Sequence, residues 1–262
     1  VIERRCDYAD DRTWCFWLHP SAQLTHLVRR RWSSVSVASP KARTLVACAD
    51  FPYAMLPAGE FYQESIKMLG RSEQMRLDLG VSVFSAPRKV GEVWEVATSG
   101  GTYRAKWVVD TRPLVAPARG GAVLWQSFLG QEVECAAPIF DSDIAEIMHF
   151  TSRCDGQILF YYLLPISPTR ALLEVTVFAP EPTGPEVFRS ELTGFIDRRL
   201  HGHQYWVRRT EHGILPMGML DHPSAADGSY VRAGLMAGGA RASSGYAFQR
   251  IQRWAEECAH AL

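Results

Sequence analysis

From Ala122 onward, four long strand-like segments follow one another with no helical pattern between them: VLWQSFLGQEVEC, IAEIMHFTS, QILFYYLLPIS and RALLEVTVFAP. Apolar residues recur at every second position or run on continuously, the patterns of half-buried and fully buried strands. A chain with such a stretch must devote its middle to β-structure. One residue breaks the pattern. In ALLEVTVFAP a single carboxylate, Glu174, stands among apolar neighbours. Taking a charge out of water is costly unless it is paired or neutralised. Glu174 is therefore either a structural acid, bonded to a neighbouring strand or to Arg170, or a functional one.

The flanking segments mix periods. WSSVSVAS and ARTLVACADF read as strands, and AGEFYQESIKML reads as a helix with Phe61, Ile66 and Leu69 on one face. VSVFSAP, VWEVAT and TYRAKWVVD read as strands, with a hairpin at Ser99-Gly100-Gly101. The first half thus reads as a βα framework with an inserted antiparallel sheet. After the strand-rich middle, PEVFRSELTGFIDRRL is an amphipathic helix. YWVRRTEHGILPM and YVRAGLMAGG are strand-like, and a last helix begins near Gly245. No repeat and no Pro/Gly/Ser-rich linker appears, so interleaved parts are expected rather than two separate domains.

Composition narrows the function classes. The chain has 262 residues and 47% hydrophobic content, enough for a sizeable core. Its 28 basic and 28 acidic residues cancel, so no overall field points to nucleic acid. No run of about 18 apolar residues implies a transmembrane helix. The opening VIERRCDYADD lacks the apolar core of a secretory signal. Six cysteines without CxxC spacing argue for reduced thiols in the cytoplasm and against a metal site. Val1-Ile2-Glu3 reads as the end of a strand, and RIQRWAEECAHAL carries no helix stop signal, so a fragment of a longer protein is expected.

Several residues are candidates for chemistry. In YVRAGLMAGGARASSGYAF a strand ends in glycines and a helix follows, a turn that lets backbone N–H groups approach a polar ligand. Taken alone it is as well a tight connection. KWVVDTRP ends in Asp110 and Arg112, a ligand-side strand end or a local ion pair. Glu3 is a ribose-binding acid of a Rossmann strand or a solvated carboxylate; the glycine fingerprint that would precede it is absent from the chain. DDRTWCFW is a buried aromatic anchor or a flat wall against a planar or polyene ligand. Arg29-Arg30-Arg31-Trp32 reads as a solvated helix end, or as a contact for anionic lipid. His149 in IAEIMHF reads as a hydrogen-bonded core histidine. Glu146 lies three residues earlier, a spacing that shares a face on a helix and not on a strand, which argues against a metal pair. Glu211 is a second candidate carboxylate, with Arg208 and Arg209 beside it for an ordinary salt bridge.

Six blocks occur in order: DDRTWCFW, Tyr53 with Glu60-Phe61-Tyr62, SFLGQEVE, FYYLLPIS…ALLEVTVF, EHGILPM and AGGARASSGYAFQRIQ. Together they resemble the lycopene cyclase family, most closely its bacterial branch, over essentially the whole chain. The resemblance implies an α/β fold: an FAD/NAD(P)-binding Rossmann-like domain interleaved with a mainly antiparallel substrate sheet. Residues 1–70, 102–118 and 226–262 would form the cofactor part and 119–225 the substrate part. By position, Glu3 matches the ribose-binding acid, Arg12, Thr13 and Trp14 the block that follows it, and Gly238 to Tyr246, with Gly239 and Gly245, the second flavin-side loop. Asp110 falls at a strand end of the cofactor part.

Glu174 matches the acidic residue of the family's strand motif, with Val175 where a second acid or an aromatic usually follows. His149 stands where many members have Asp in a Met-Asp-Phe triplet. The implied reaction is a non-redox cyclisation of the ψ-ends of lycopene, assisted by reduced FAD with NAD(P)H as electron donor. An acid protonates the terminal double bond, the cation closes a six-membered ring, and a base removes a proton. The resemblance implies that Glu174 would be the acid, since apolar surroundings keep a carboxyl protonated; Glu211 and His149 are the further catalytic candidates. A bilayer-resident polyene implies peripheral membrane contact for a cytoplasmic protein. The competing readings are a redox flavoenzyme of monooxygenase type and an inactive, carotenoid-binding chain.

Overall fold

The computed structural model describes residues 1–20, 22–113, 122–151, 156–219 and 227–261. Cys154 and the expected part boundaries at 118/119 and 225/226 lie outside the described residues. In chain order the first elements are β1 (Thr13–Trp17), β2 (Arg30–Trp32), β3 (Ser34–Ser39), β4 (Ala42–Ala47), β5 (Tyr53–Pro57) and α1 (Ala58–Gly70). Then come β6 (Arg88–Val90), β7 (Val93–Thr98), β8 (Gly101–Ala105), β9 (Val108–Asp110), β10 (Ala122–Cys135) and β11 (Ile144–Phe150). The rest are β12 (Ile158–Ser167), β13 (Arg170–Ala179), α2 (Arg189–Leu200), β14 (Tyr205–Met219), β15 (Tyr230–Arg232) and α3 (Phe248–Ala261).

The strand-rich stretch forms the centre of a seven-stranded sheet in the order β14-β10-β13-β12-β11-β3-β4. Its pairings are antiparallel except β11 with β3. β13 is buried along nearly its whole length, which explains its continuous apolar run: both faces are covered. On one face Leu129, Val133, Leu173, Val175 and Val177 pack with Leu192, Phe195 and Ile196 of α2. On the other, Tyr162, Leu164, Leu172 and Met217 pack with Trp32, Tyr53 and Met55 of a small sheet, β1-β5-β2. The outer side of that small sheet carries Phe16 and Leu56 against Trp14, Phe61 and Phe248. The chain is thus layered: α2, the large sheet, the small sheet, then α1 and α3.

Several expectations are corrected. VSVFSAP is not a strand; it makes one isolated bridge, Val83 to Thr98, because Phe84 has nothing to bury against and stays 69% exposed. TYRAKWVVD breaks into β8 and β9, which belong to different sheets. Arg29 to Trp32 is not a helix end: Arg30–Trp32 pairs with β5, and Trp32 is fully buried with its indole N–H donating to the Pro165 carbonyl at 2.9 Å. Val1 to Glu3 contributes a single bridge, Ile2 to Asp78. In α1, Phe61 packs inward while Ile66 is exposed. In YVRAGLMAGG the strand is limited to Tyr230–Arg232, followed by a 3-10 turn at Leu235–Ala237, and the last helix starts at Phe248, since Gly245 at φ +72° is off the helical path. Residues 34–47, placed with the cofactor part in the expected division, form the edge of the large sheet. The hairpin at Ser99-Gly100 forms as expected, with Thr98 opposite Gly101.

Candidate active site

On a sheet, directly opposed residues share a face. Glu211 of β14 opposes Gly130 of β10; Gly130 opposes Glu174 of β13; Glu174 opposes Tyr162 of β12. The two candidate carboxylates therefore lie in one row, on the face covered by the small sheet, with a glycine between them. A Cβ on Gly130 would sit 3.3 Å from Oε2 of Glu174 and 3.3 Å from its Cβ, so the missing side chain is the space the carboxyl occupies.

One row along, Arg209 opposes Glu132, and Glu132 opposes Leu172. Glu132, Glu174 and Glu211 are all buried. Their partners differ. Arg209 Nη1 donates to Glu211 Oε2 at 2.5 Å, and its Nε donates to Glu132 Oε2 at 3.3 Å. Arg170 pairs with Glu132, not with Glu174. Arg208 goes outward to Glu134 at 2.8 Å. Thr13 Oγ1 donates to Glu211 Oε2 at 2.8 Å and accepts from Arg209 Nη2 at 2.6 Å. Glu174 accepts from the Thr176 hydroxyl at 2.7 Å. Burial and the neighbouring Glu211 charge push its carboxyl up to about 8, against the Thr176 hydrogen bond and the Arg209 charge. Burial also raises Glu211, opposed by Arg209 and Thr13.

The rim of this cluster is hydroxyl-rich. The Tyr53 and Tyr246 hydroxyls lie 3.1 Å apart, and Tyr162 stands beside Tyr246. Burial pushes the phenols of Tyr53 and Tyr162 well up, so they remain neutral donors. Burial, with Glu211 and Glu174 nearby, does the same to the Cys15 thiol. Strand alternation explains the supply of groups from β1. Thr13, Cys15 and Trp17 face the large sheet, while Trp14 and Phe16 face away, stacked on Phe248 at centroid distances of 5.1 and 5.0 Å. Trp14 is thus an aromatic anchor with its face occupied.

The structure gathers Thr13, Glu174, Glu211 and Tyr246 into one site. His149 is elsewhere. It opposes Tyr161, whose ring stacks on Phe195 of α2, and so belongs to the opposite face of the sheet from Glu174. The parity argument against a Glu146–His149 contact is corrected as well. A bulge, with Met148 at φ +51°, shifts the register and brings His149 Nδ1 to 3.2 Å from Glu146 Oε2. His149 Nε2 lies 2.9 Å from Ser36 Oγ. Ser36 is fully buried, so the trio offers no nucleophile to a substrate. Burial lowers the imidazole, offset by Glu146.

The cofactor-side candidates form two groups. Asp110 is buried and accepts from the Arg112 backbone and side chain and from the Tyr230 hydroxyl. Burial pushes it up, but these bonds bring it to about 2. Its carbonyl accepts from Ala233 N–H, which ties it to the glycine loop. Gly234, Gly238 and Gly245 all have positive φ, and Gly239 packs so closely that a Cβ would meet the Gly234 carbonyl at 2.7 Å. A cavity of about 150 Å³ lies there, lined by Arg232, Gly234, Gly238, Gly239, Arg250 and Trp254 among others. Glu3 instead accepts from the Arg5 N–H and the Tyr8 hydroxyl, and Arg12 pairs with Asp11. Glu3 and Arg12 are linked through the Arg5–Asp11 pair and through the contact of Tyr8 with Tyr62, whose hydroxyl donates to Asp11.

A family model described as lycopene cyclase protein matches residues 3–262. The chain belongs to the lycopene cyclase family. Among solved structures it is similar to a variant of PqsL from Pseudomonas aeruginosa, at 16% identity over 100% of this chain and 78% of that one, with a TM-score of 0.67. PqsL is described as a probable FAD-dependent monooxygenase. A geranylgeranyl bacteriochlorophyll reductase-like protein from Thermoplasma acidophilum matches at 10% identity, over 100% and 77% of the two chains, TM-score 0.60. CtdE, solved with FAD and a substrate, matches at 10% identity over 95% and 71%, TM-score 0.61. At these identities the likeness establishes the fold alone, a mixed α/β architecture shared with those proteins. No curated protein sequence matches the chain.

Several groups of the site escape a reading of the sequence: Gly130, Glu132, Tyr162 and Thr176, and Arg209 as a shared cation. The signal for two of them was present, since Gly130 and Glu132 are two apart in GQEVE and must share a strand face.

Proposed function

We propose that this lycopene cyclase family member performs a flavin-assisted, non-redox cyclisation of the ψ-ends of lycopene, an intramolecular lyase-type isomerisation, with Glu174 as the general acid. The observation that carries this reading is the row Glu211–Gly130–Glu174–Tyr162, which buries Glu174 beside a second acid with only a neutral hydroxyl bonded to it. A general acid for an alkene must hold its proton at working pH and still release it. A carboxyl near 8, on an apolar strand beside a second acid, meets both demands. The proton passes from Glu174 to the terminal alkene carbon. The cation attacks within the chain to form the ring C–C bond, and loss of a ring proton sets the double bond. The rings and hydroxyls of Tyr53, Tyr162 and Tyr246 line the site, where aromatic faces stabilise a cation.

The residues present fit an FAD. The glycine loop leaves a cavity at Gly238. Beside Gly245, Gln126 Oε1 is a buried acceptor without a partner among the described residues, a place for an N–H donor. Gly238, Gly239, Gly245 and Gln126 would hold the flavin side. When bound, reduced FAD supplies negative charge that stabilises the cation. NAD(P)H is the proposed electron donor.

The substrate lives in the bilayer, so a cytoplasmic protein working at the membrane surface is part of the proposal. Among the described residues no helix is long and apolar enough to cross a membrane. The test is an assay of the FAD-loaded, pre-reduced protein on lycopene in liposomes, with product analysis. Cyclic carotenoid without stoichiometric NAD(P)H or oxygen consumption is expected. Stoichiometric consumption with an oxygenated product would replace the reading with a monooxygenase.

A further inference from the structure

Two buried acids that lie in one row across a single glycine repel each other when both are charged, so something must decide which of them carries the proton. We propose that Arg209 is the positioning residue that divides this pair into one acid and one base, holding Glu211 ionised so that the proton rests on Glu174. The proposal rests on the reading of Glu174 as the acid.

The geometry is one-sided. Arg209 and Thr13 close a triangle on a single oxygen, Glu211 Oε2, with sides of 2.5, 2.8 and 2.6 Å. A guanidinium stays charged at any working pH, so Glu211 always faces a cation. Glu174 receives a neutral hydroxyl instead. The two cations of the cluster are already committed before Glu174 is counted: Arg209 and Arg170 face Glu132 and Glu211. Asp10, at 4.0 Å from Arg209 and part-exposed, closes the outer end. A negative charge on Glu174 would be the surplus one, and burial makes that surplus costly.

The division supplies a complete catalytic cycle. Glu174 gives its proton to the alkene and becomes anionic. Ring closure moves the positive charge to a ring carbon. Glu211 takes the adjacent proton, and the C–H electron pair becomes the ring double bond. The proton then returns from Glu211 to Glu174 across the gap at Gly130. Net proton change is zero, and the pair holds one proton between steps, apart from the interval when the charge is on the substrate. The pair titrates as a unit, so activity requires one proton on two carboxylates.

The test uses the FAD-loaded holoenzyme with Arg209→Gln, Arg209→Lys and Thr13→Val. Two readouts apply: the pH profile of cyclisation, and infrared detection of protonated carboxyls with Glu174→Gln and Glu211→Gln as assignments. Without the fork on Glu211, the acidic limb of the profile should move up, with a loss of about tenfold or more at its acidic end. Arg209→Gln should show a second protonated carboxyl that vanishes in the Glu211→Gln background. Thr13→Val should shift the limb in the same direction by less. If Arg209→Gln does not accumulate, Arg209→Lys and Thr13→Val carry the test. An unmoved acidic limb and a single protonated carboxyl in the folded variants overturn the role of Arg209 while leaving Glu174 intact. Loss of no protonated carboxyl in Glu174→Gln, with activity retained, would instead remove the acid itself.

Discussion

The large sheet buries acids on both faces, and the two faces treat them differently. Beneath the small sheet, Glu174 receives a hydroxyl and shares its surroundings with the Glu211 and Glu132 charges. Beneath α2, Glu146 is met by Arg199 at 2.5 Å, by His149 at 3.2 Å and by Arg43 at 3.7 Å. Both are strand residues with similar burial. Burial alone therefore does not make a proton donor. What separates the faces is the balance of cations against carboxylates. Glu146 is surrounded by an excess of positive partners, whereas the cations around Glu174 are committed to Glu132, Glu211 and Asp10. The first arrangement locks α2 and β4 onto β11; the second stores a proton.

The contrast breaks most sharply at Glu174. Glu174→Gln should fold and hold flavin but lose about 10²–10⁴-fold in cyclisation, read by pigment analysis and flavin content of one preparation. The same substitution has a thermodynamic signature. A carboxyl raised in the folded state stabilises it fully below the unfolded value, and that stability is lost as pH rises toward about 8. Melting temperature should fall between about pH 4.5 and 8 in the parent and fall less in Glu174→Gln. An equal slope would show that Glu174 is ionised in the folded protein.

On the other face, His149→Asp sets a second carboxylate beside Glu146 and should destabilise by about 3 kcal/mol with an unchanged product. A changed carotenoid product would restore His149 to the chemistry. Arg199→Met removes the strongest partner of Glu146. Its side chain is partly exposed, so a loss of about 2 kcal/mol is expected by chemical denaturation, with activity per folded molecule intact. The smallest stability effect is expected from Gly130→Ala, about 1 kcal/mol of overpacking. Its use is as a probe: the added methyl meets Glu174 Oε2, so turnover should drop more than stability. Equal drops would mean the glycine serves packing alone.

The expected strands of the middle of the chain all form, because strand period and burial are local signals. Where the reading failed, burial was missing or register intervened. VSVFSAP has strand composition but no surface to cover. Glu146 and His149 should not meet by alternation, and they meet because one bulge at Met148 resets the period. The candidate acids were legible too: Glu174 stands out in an apolar strand, and Glu211 follows two arginines.

By itself the sequence determined the β-rich middle, the odd carboxylate within it, and the ordered blocks that mark the family. Only the tertiary structure decided which acids share a face. That depends on pairing across β14, β10, β13 and β12, from residues up to 81 positions apart in the register of Glu211 with Gly130. It also decided that Arg170 answers Glu132, leaving Glu174 without an ion pair of its own among the described residues. Charge balance in a buried cluster is a property of neighbours in space, and no local pattern along the chain records it.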